Sequence, residues 1–160
     1  MRVTSIAVTL YYLSSSFLVS SATRIEDPQS FVAEVYRGFI AEQSAHSELY
    51  TPPDGIYTAR LAKLLHDDEL SAKGEVGCLD FVFWVNGQDW TITNLTLTSA
   101  DQSAERRTVI ARFRNFGKAQ EIRFDFRRTA GGWLLDEVRS VSGQRWTLSR
   151  ILQCNAGQRK

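Results

Sequence analysis

Histidine and cysteine are scarce here, two of each in the whole chain. A structural zinc site takes about four ligands at recognisable spacing. Cys78 and Cys154 stand far apart in sequence, and His46 and His66 are too few to complete such a set. Surplus charge is also missing, with 19 basic against 18 acidic side chains, whereas a nucleic-acid binder uses a basic excess to displace counterions. The chain has no nucleophile elbow, no HExxH zinc helix, no glycine-rich phosphate loop and no Cys/His pair of catalytic spacing. It has no internal repeat, low-complexity run or linker either. No metal, cofactor or nucleic acid is therefore expected, and what remains is a single domain.

Long apolar runs are lacking too. A spanning helix takes about 20 apolar residues, and nothing after the amino-terminal segment approaches that. The start has its own pattern: Met1-Arg2 is basic, Ile6 to Val19 is mostly apolar but broken by Ser14, Ser15 and Ser16, and Ser20-Ser21-Ala22 supplies small residues. This reads as a secretory signal peptide over 1–22, cut after Ala22. The competing reading, an uncleaved membrane anchor, meets a segment that is short and diluted by serine. No cysteine near the cut invites a lipid. Removing Arg2 with the leader balances the charges of the remaining domain, 23–160, which is long enough to bury roughly two-thirds of its unfolded surface. The expected location is periplasmic or secreted, without stable membrane insertion. In such an oxidising compartment Cys78 and Cys154 read as one disulfide, worth about 4 kcal/mol by the chain-entropy account. The alternative is two unrelated buried thiols.

Asp27-Pro28 is a helix start, since aspartate caps free amides and proline suits the first helical position. Phe31, Val35, Phe39 and Ile40 continue it at helical spacing to about His46. Two prolines and a glycine make Thr51 to Gly55 a loop. A second helix is expected from Thr58 to Asp68 with Leu61, Leu64 and Leu65 inward, ended by Ser71 to Gly74. Strand signals follow: Trp90 to Thr98, Thr108 to Phe113, then Ile122, Phe124 and Phe126 alternating with Glu121, Arg123, Asp125 and Arg127, and Trp133 to Val141 beyond the Ala130-Gly131-Gly132 turn. Thr147 to Leu152 is expected as a short helix or irregular tail. Helices first and an antiparallel meander second give an α+β fold with helices on one face of the sheet.

Gly132-Trp133-Leu134-Leu135-Asp136-Glu137-Val138 resembles the last strand of the nuclear-transport-factor-2-like, or cystatin-like, cone fold. Leu79-Asp80-Phe81-Val82-Phe83-Trp84-Val85-Asn86-Gly87-Gln88-Asp89-Trp90 is similar to the signature of an uncharacterised family of bacterial exported proteins in that superfamily, roughly Leu-Asp-Phe-Asp-Pro-Phe-Leu-Asn-Ala-Gln-Asp-Trp. Thr147 to Leu152 is similar to that family's closing Ser-Leu-Arg-x-Leu-Leu, and the likeness spans about residues 28 to 152. It implies a curved, cone-like antiparallel sheet. Val82-Phe83 replace the family's Asp-Pro, so a role resting on that second carboxylate does not transfer.

Asn86-Gly87 favours a tight turn with positive backbone angles. Gln88 and Asp89 then bond local amides while Trp90 plugs the core, or Asp80 and Asp89 form a polar cluster at the mouth of the cone that binds a ligand or partner. Phe83 to Asp89 and Thr51 to Tyr57 are expected as exposed contact loops, with Trp84 an aromatic anchor. The candidate binding residues are thus Asp80, Trp84, Asn86, Gln88 and Asp89. His66-Asp67-Asp68-Glu69 reads as a solvated tip, or an acidic patch for a partner. Arg112, Arg114, Arg123, Arg127 and Arg128 face Glu121 and Asp125, as cross-strand pairs or as a recognition face for an acidic partner. In some cone-fold relatives an acid and a tyrosine transfer protons; Asp80, Asp125 or Asp136 with Tyr36 or Tyr57 would be the pair here. Against that stands the aromatic bulk of Phe31, Phe39, Phe81, Phe83, Phe113, Phe124, Phe126, Trp90 and Trp133, enough to fill the cone. Asn94-Leu95-Thr96 is a glycosylation sequon, relevant only in a eukaryotic host. The expected function is non-catalytic binding of a protein partner in the cell envelope, for instance as an inhibitor or immunity protein against a toxic enzyme. The alternatives are a small-molecule carrier, an enzyme using the cone pocket, or an envelope scaffold.

Overall fold

A computed structural model describes residues 24–45 and 50–154. The expected leader, its cut site and His46 lie outside the described residues. The elements are α1 (Pro28–Ala45), α2 (Ala59–Ala72), β1 (Ile92–Ser103), β2 (Arg106–Asn115), β3 (Lys118–Thr129), β4 (Gly132–Ser140), β5 (Trp146–Thr147) and α3 (Leu148–Ile151). The five strands form one open antiparallel sheet in chain order.

Local chemistry sets the boundaries. Asp27 Oδ2 accepts the Ser30 amide at 2.8 Å, and Thr58 Oγ1 accepts the Leu61 amide at 3.4 Å, so each helix opens on a side-chain cap. The second helix outlasts its expected end at Asp68 by one turn. It stops where Lys73 enters the left-handed region at φ 51°. β2 and β3 are joined through Phe116 and Gly117, with φ of 47° and 76°, a two-residue turn matched to the strand twist. Trp146–Thr147, expected as the edge of the tail, adds a short strand beside Arg139 and Ser140.

Alternation assigns the two faces of the sheet. Val109, Ala111 and Phe113 of β2, Ile122, Phe124 and Phe126 of β3, and Leu135 and Val138 of β4 are buried against Phe31, Val32, Val35, Tyr36 and Phe39 of α1 and Leu61 of α2. A bulge after Asp125 lets Leu135 and Val138 both face inward, with Asp136 and Glu137 between them. That acidic pair holds helix starts: Thr58 Oγ1 donates to Asp136 at 2.9 Å, and the Ser149 amide donates to Glu137 at 3.1 Å. The outer edge of β4 is satisfied as well, by Ile25, whose carbonyl accepts the Trp133 amide, and by Ile56 and Thr58, which bond Leu135.

Cys78 and Cys154 are joined, Cα atoms 6.0 Å apart, across a sequence separation of 76. The acidic stretch His66 to Glu69 is not a solvated tip. His66 and Glu69 are exposed, but Asp68 is 7% exposed and accepts the amides of Cys78 at 2.8 Å and Leu79 at 3.2 Å. A Cβ on Gly77 would lie 2.6 Å from Asp68 Oδ2, so the carboxylate needs glycine there. The disulfide therefore ties the tail to a segment already pinned to α2. Replacing both cysteines by serine should lower unfolding free energy by about 2–4 kcal/mol in chemical denaturation. An unchanged midpoint would show that the bond constrains little.

Candidate functional site

The Leu79–Trp90 segment is sewn into the core. Trp84 is 2% exposed and stacks on Phe124 with ring centroids 4.8 Å apart, with Phe83 on its other side at 5.3 Å. Its carbonyl accepts the hydroxyl of Tyr36 at 2.6 Å, and burial pushes that phenol well above its ordinary pKa. Tyr57, which bonds the Trp84 side chain, is pushed up to about 12, by burial first and the Asp54 charge second. The expectation that Trp84 is an exposed anchor is thus corrected: a large apolar ring gains more from burial against Phe124 than from solvent.

The remaining members of the predicted cluster separate into two groups. Asn86 takes the positive φ of 55°, whereas Gly87 does not, so the Asn-Gly turn is not doubly left-handed. The Asn86 amide donates to Gln120 at 2.9 Å and its oxygen accepts the Trp146 indole at 2.7 Å. Asn115 donates to the carbonyls of Val85 and Asp89. Asp80, Gln88 and Asp89 lie exposed on the outside; Gln88 donates to the Asp80 carbonyl at 3.1 Å. Trp90 is half-buried, edge-on to Phe39, and donates to its carbonyl. Asn86 locks the segment, while Asp80, Gln88 and Asp89 stay on its exposed side.

The tyrosines proposed for proton transfer are engaged by Trp84, Tyr36 at its carbonyl and Tyr57 at its side chain. Asp125 faces away from the core, where it accepts Thr108 at 2.7 Å and pairs with Arg139 at 2.8 Å. Asp136 is engaged by Thr58 and Arg60. Tyr36 lies on the opposite, core side of the sheet.

The outer face of the sheet is the larger polar surface. Register places Arg106, Arg112 and Arg114 of β2, Arg123 and Arg127 of β3, and Arg139 of β4 on it, with Glu121, Asp125 and Glu137 as acids and Asp136 of the bulge reaching Arg127. The expected cross-strand pairing forms between Arg112 and Glu121, while Arg127 turns to Asp136 at 3.6 Å and Asp125 takes Arg139. Glu121 receives Arg112 at 2.8 Å and Arg123 at 2.7 Å. The two guanidiniums, Arg123 first, hold the Glu121 carboxyl below the usual carboxylate range. Arg114 is left to the Gly117 carbonyl at 2.6 Å. Arg128 departs from the expected pairing, for it lies over the Trp133 ring on the core side, 5.7 Å from its centroid. Thr93, Thr96 and Thr98 of β1 extend the face with neutral hydroxyls.

A groove of about 830 Å³ lies along the solvent side of α1, lined by Ile25, Phe31, Val35, Tyr50 and Pro53 with Arg24, Glu34 and Arg37 on its rim. Gly38 makes room for the Tyr50 ring, which a Cβ there would overlap. Sequence reasoning missed this groove, because its walls come from three separate segments. Arg139, too, had no expected role, although its alternation with Val138 marks it as outward-facing. Among the described residues no helix is long and apolar enough to cross a membrane.

The chain matches no protein-family model, no curated protein and no solved structure with which it was compared.

Two outcomes test this geometry. Tyr36→Phe leaves the buried Trp84 carbonyl unpaired and should cost about 1–3 kcal/mol in denaturant unfolding; a neutral result would contradict the bond. Glu121, with its folded pKa depressed, contributes stability above the unfolded carboxylate range that is lost as pH falls through the folded value. Glu121→Gln should therefore flatten the loss of thermal stability below about pH 4, and an unchanged acid profile would show the carboxylate to be idle.

Proposed function

We propose that this protein is an exported, non-catalytic binding domain that recognises an acidic protein partner in the cell envelope through the outer face of its sheet. The observation that carries this reading is the imbalance on that face: Arg106, Arg112, Arg114, Arg123, Arg127 and Arg139 outnumber Glu121, Asp125, Asp136 and Glu137 although the whole chain is nearly neutral. Arginine suits such a surface, because its planar fork bonds a carboxylate while remaining weakly hydrated. Exposed Asp80, Gln88 and Asp89 give a rim of opposite character at one margin.

Export to the periplasm is favoured by the leader-like start and by the Cys78–Cys154 bond. A likeness to exported proteins of the nuclear-transport-factor-2-like superfamily, with a cone-like curvature of the sheet, accords with helices packed on one face. An inhibitor or immunity protein is the kind of molecule that fits: small, stapled, and presenting charge to an enzyme whose activity must be blocked. The groove along α1 favours a second reading, capture of an apolar small molecule.

A photo-crosslinking residue at Thr98, exposed on the outer face, tests the first reading in the native envelope. One partner protein should be captured and lost when Arg112 and Arg123 are both changed to glutamate, while the same probe at Glu75 captures none. Equal capture from Glu75, or a band that survives charge reversal, would dismiss this face as the contact.

A further inference from the structure

At the β4–β5 end of the molecule three arginines surround one hollow. Arg139, Arg145 and Arg150, with Ser140, Thr147 and the ring of Trp146, line a pocket of about 490 Å³ that no carboxylate enters. Arg139 gives its Nη2 to Asp125, yet its Nε is buried without a hydrogen-bond partner. A buried donor left unpaired costs about 1–3 kcal/mol, more on a charged group. Arg145 and Arg150 are exposed and form no ion pair among the described residues, and Thr147, at the start of α3, makes no side-chain cap bond. Elsewhere on this surface arginines converge on acids; here Arg145 and Arg150 do not. The placement is also firm. Trp146 is fixed by its indole bond to Asn86 and by Phe81 at 5.3 Å, and Leu148 and Leu152 anchor the α3 turn in the core.

We infer that this pocket binds a multiply charged oxyanion group, a phosphate or a clustered carboxylate. Guanidinium groups bond both in bidentate fashion. With Arg139 already paired to Asp125, Arg145 and Arg150 bring two uncompensated cations to the hollow, which match two negative charges better than one. Trp146, Val141 and Ile151 add an apolar wall against which the ligand's body rests. The inference has its own observation, the exposed Arg145 and Arg150, unpaired among the described residues, on an acid-free lining, and it holds whether or not the outer face meets a protein.

The oxidised mature protein is titrated calorimetrically with inorganic phosphate, citrate and acetate at low chloride. Phosphate or citrate should bind saturably with a dissociation constant on the order of 1 mM or tighter, and acetate much more weakly. A stronger citrate signal identifies a carboxylate-bearing ligand, and a stronger phosphate signal a phosphorylated one. Arg145→Gln and Arg150→Gln, at positions whose side chains hold nothing else in place, should each weaken binding about tenfold or more. Arg112→Gln on the outer face should leave it unchanged, which separates this pocket from the proposed partner surface. Absence of saturable binding to either polyanion overturns the inference. So does binding that survives both substitutions with unchanged thermal midpoint, or that falls equally in Arg112→Gln.

Discussion

The hydrogen bond from Tyr36 to the Trp84 carbonyl joins three parts of the chain that have no sequence relation to one another. Tyr36 comes from the middle of α1, Trp84 from the segment between α2 and the sheet, and Phe124, on which Trp84 lies, from the central strand β3. Apolar burial alone would let the Leu79–Trp90 segment slide over the sheet, since it is non-directional. A hydroxyl buried with one available acceptor is directional, and leaving it unmade costs more than the bond is worth in water. Once that bond sets the depth of Trp84, Asn86 reaches Gln120 and Trp146, Asn115 closes over Val85 and Asp89, and Asp80, Gln88 and Asp89 are left outside. The surface offered by this segment is a consequence of what its centre buries.

The same division between directional and non-directional forces explains how charge is distributed. The acidic pair at the β4 bulge is consumed by architecture, Asp136 at the start of α2 and Glu137 at the start of α3. Asp68 is consumed in the same way by the Cys78 and Leu79 amides. Asp136 and Glu137 also meet Arg60, and Asp136 meets Arg127, each at 3.6 Å, so their charge is divided between helix starts and arginines. A chain with almost equal numbers of acids and bases thus acquires one surface, and one pocket beside it, where cations prevail.

What was legible in the sequence follows from range. Alternation in Glu121 to Arg127 depends only on the strand's period of two, and the Asp27-Pro28 start only on local caps, so both are found where expected. The disulfide was readable as a choice between two outcomes, with the compartment as the argument. Trp84 was misjudged because a tryptophan flanked by Asn86, Gln88 and Asp89 looks like a loop residue; that Phe124 and Tyr36 would receive it depends on long-range packing. Asp68 was misjudged for a similar reason, as its partners are amides ten and eleven positions later that carry no side-chain signal. The arginine pocket was invisible, since Arg139, Arg145 and Arg150 show no spacing that announces a site. Only the turn from β4 into β5 and α3 brings them together.

The Phe83–Val85 stretch is a structural plug whose burial decides which residues of the Leu79–Trp90 segment stay exposed. Amide hydrogen exchange on the oxidised protein tests that plug most directly, since a plugged segment opens only with the fold as a whole. The amide of Val85, bonded to the Val82 carbonyl, should then exchange with the same opening free energy as Phe124 and Ile122 in β3. Exchange at Val85 by a separate, much easier opening would mean that the segment lifts off the core on its own, and that its surface is not set by Trp84.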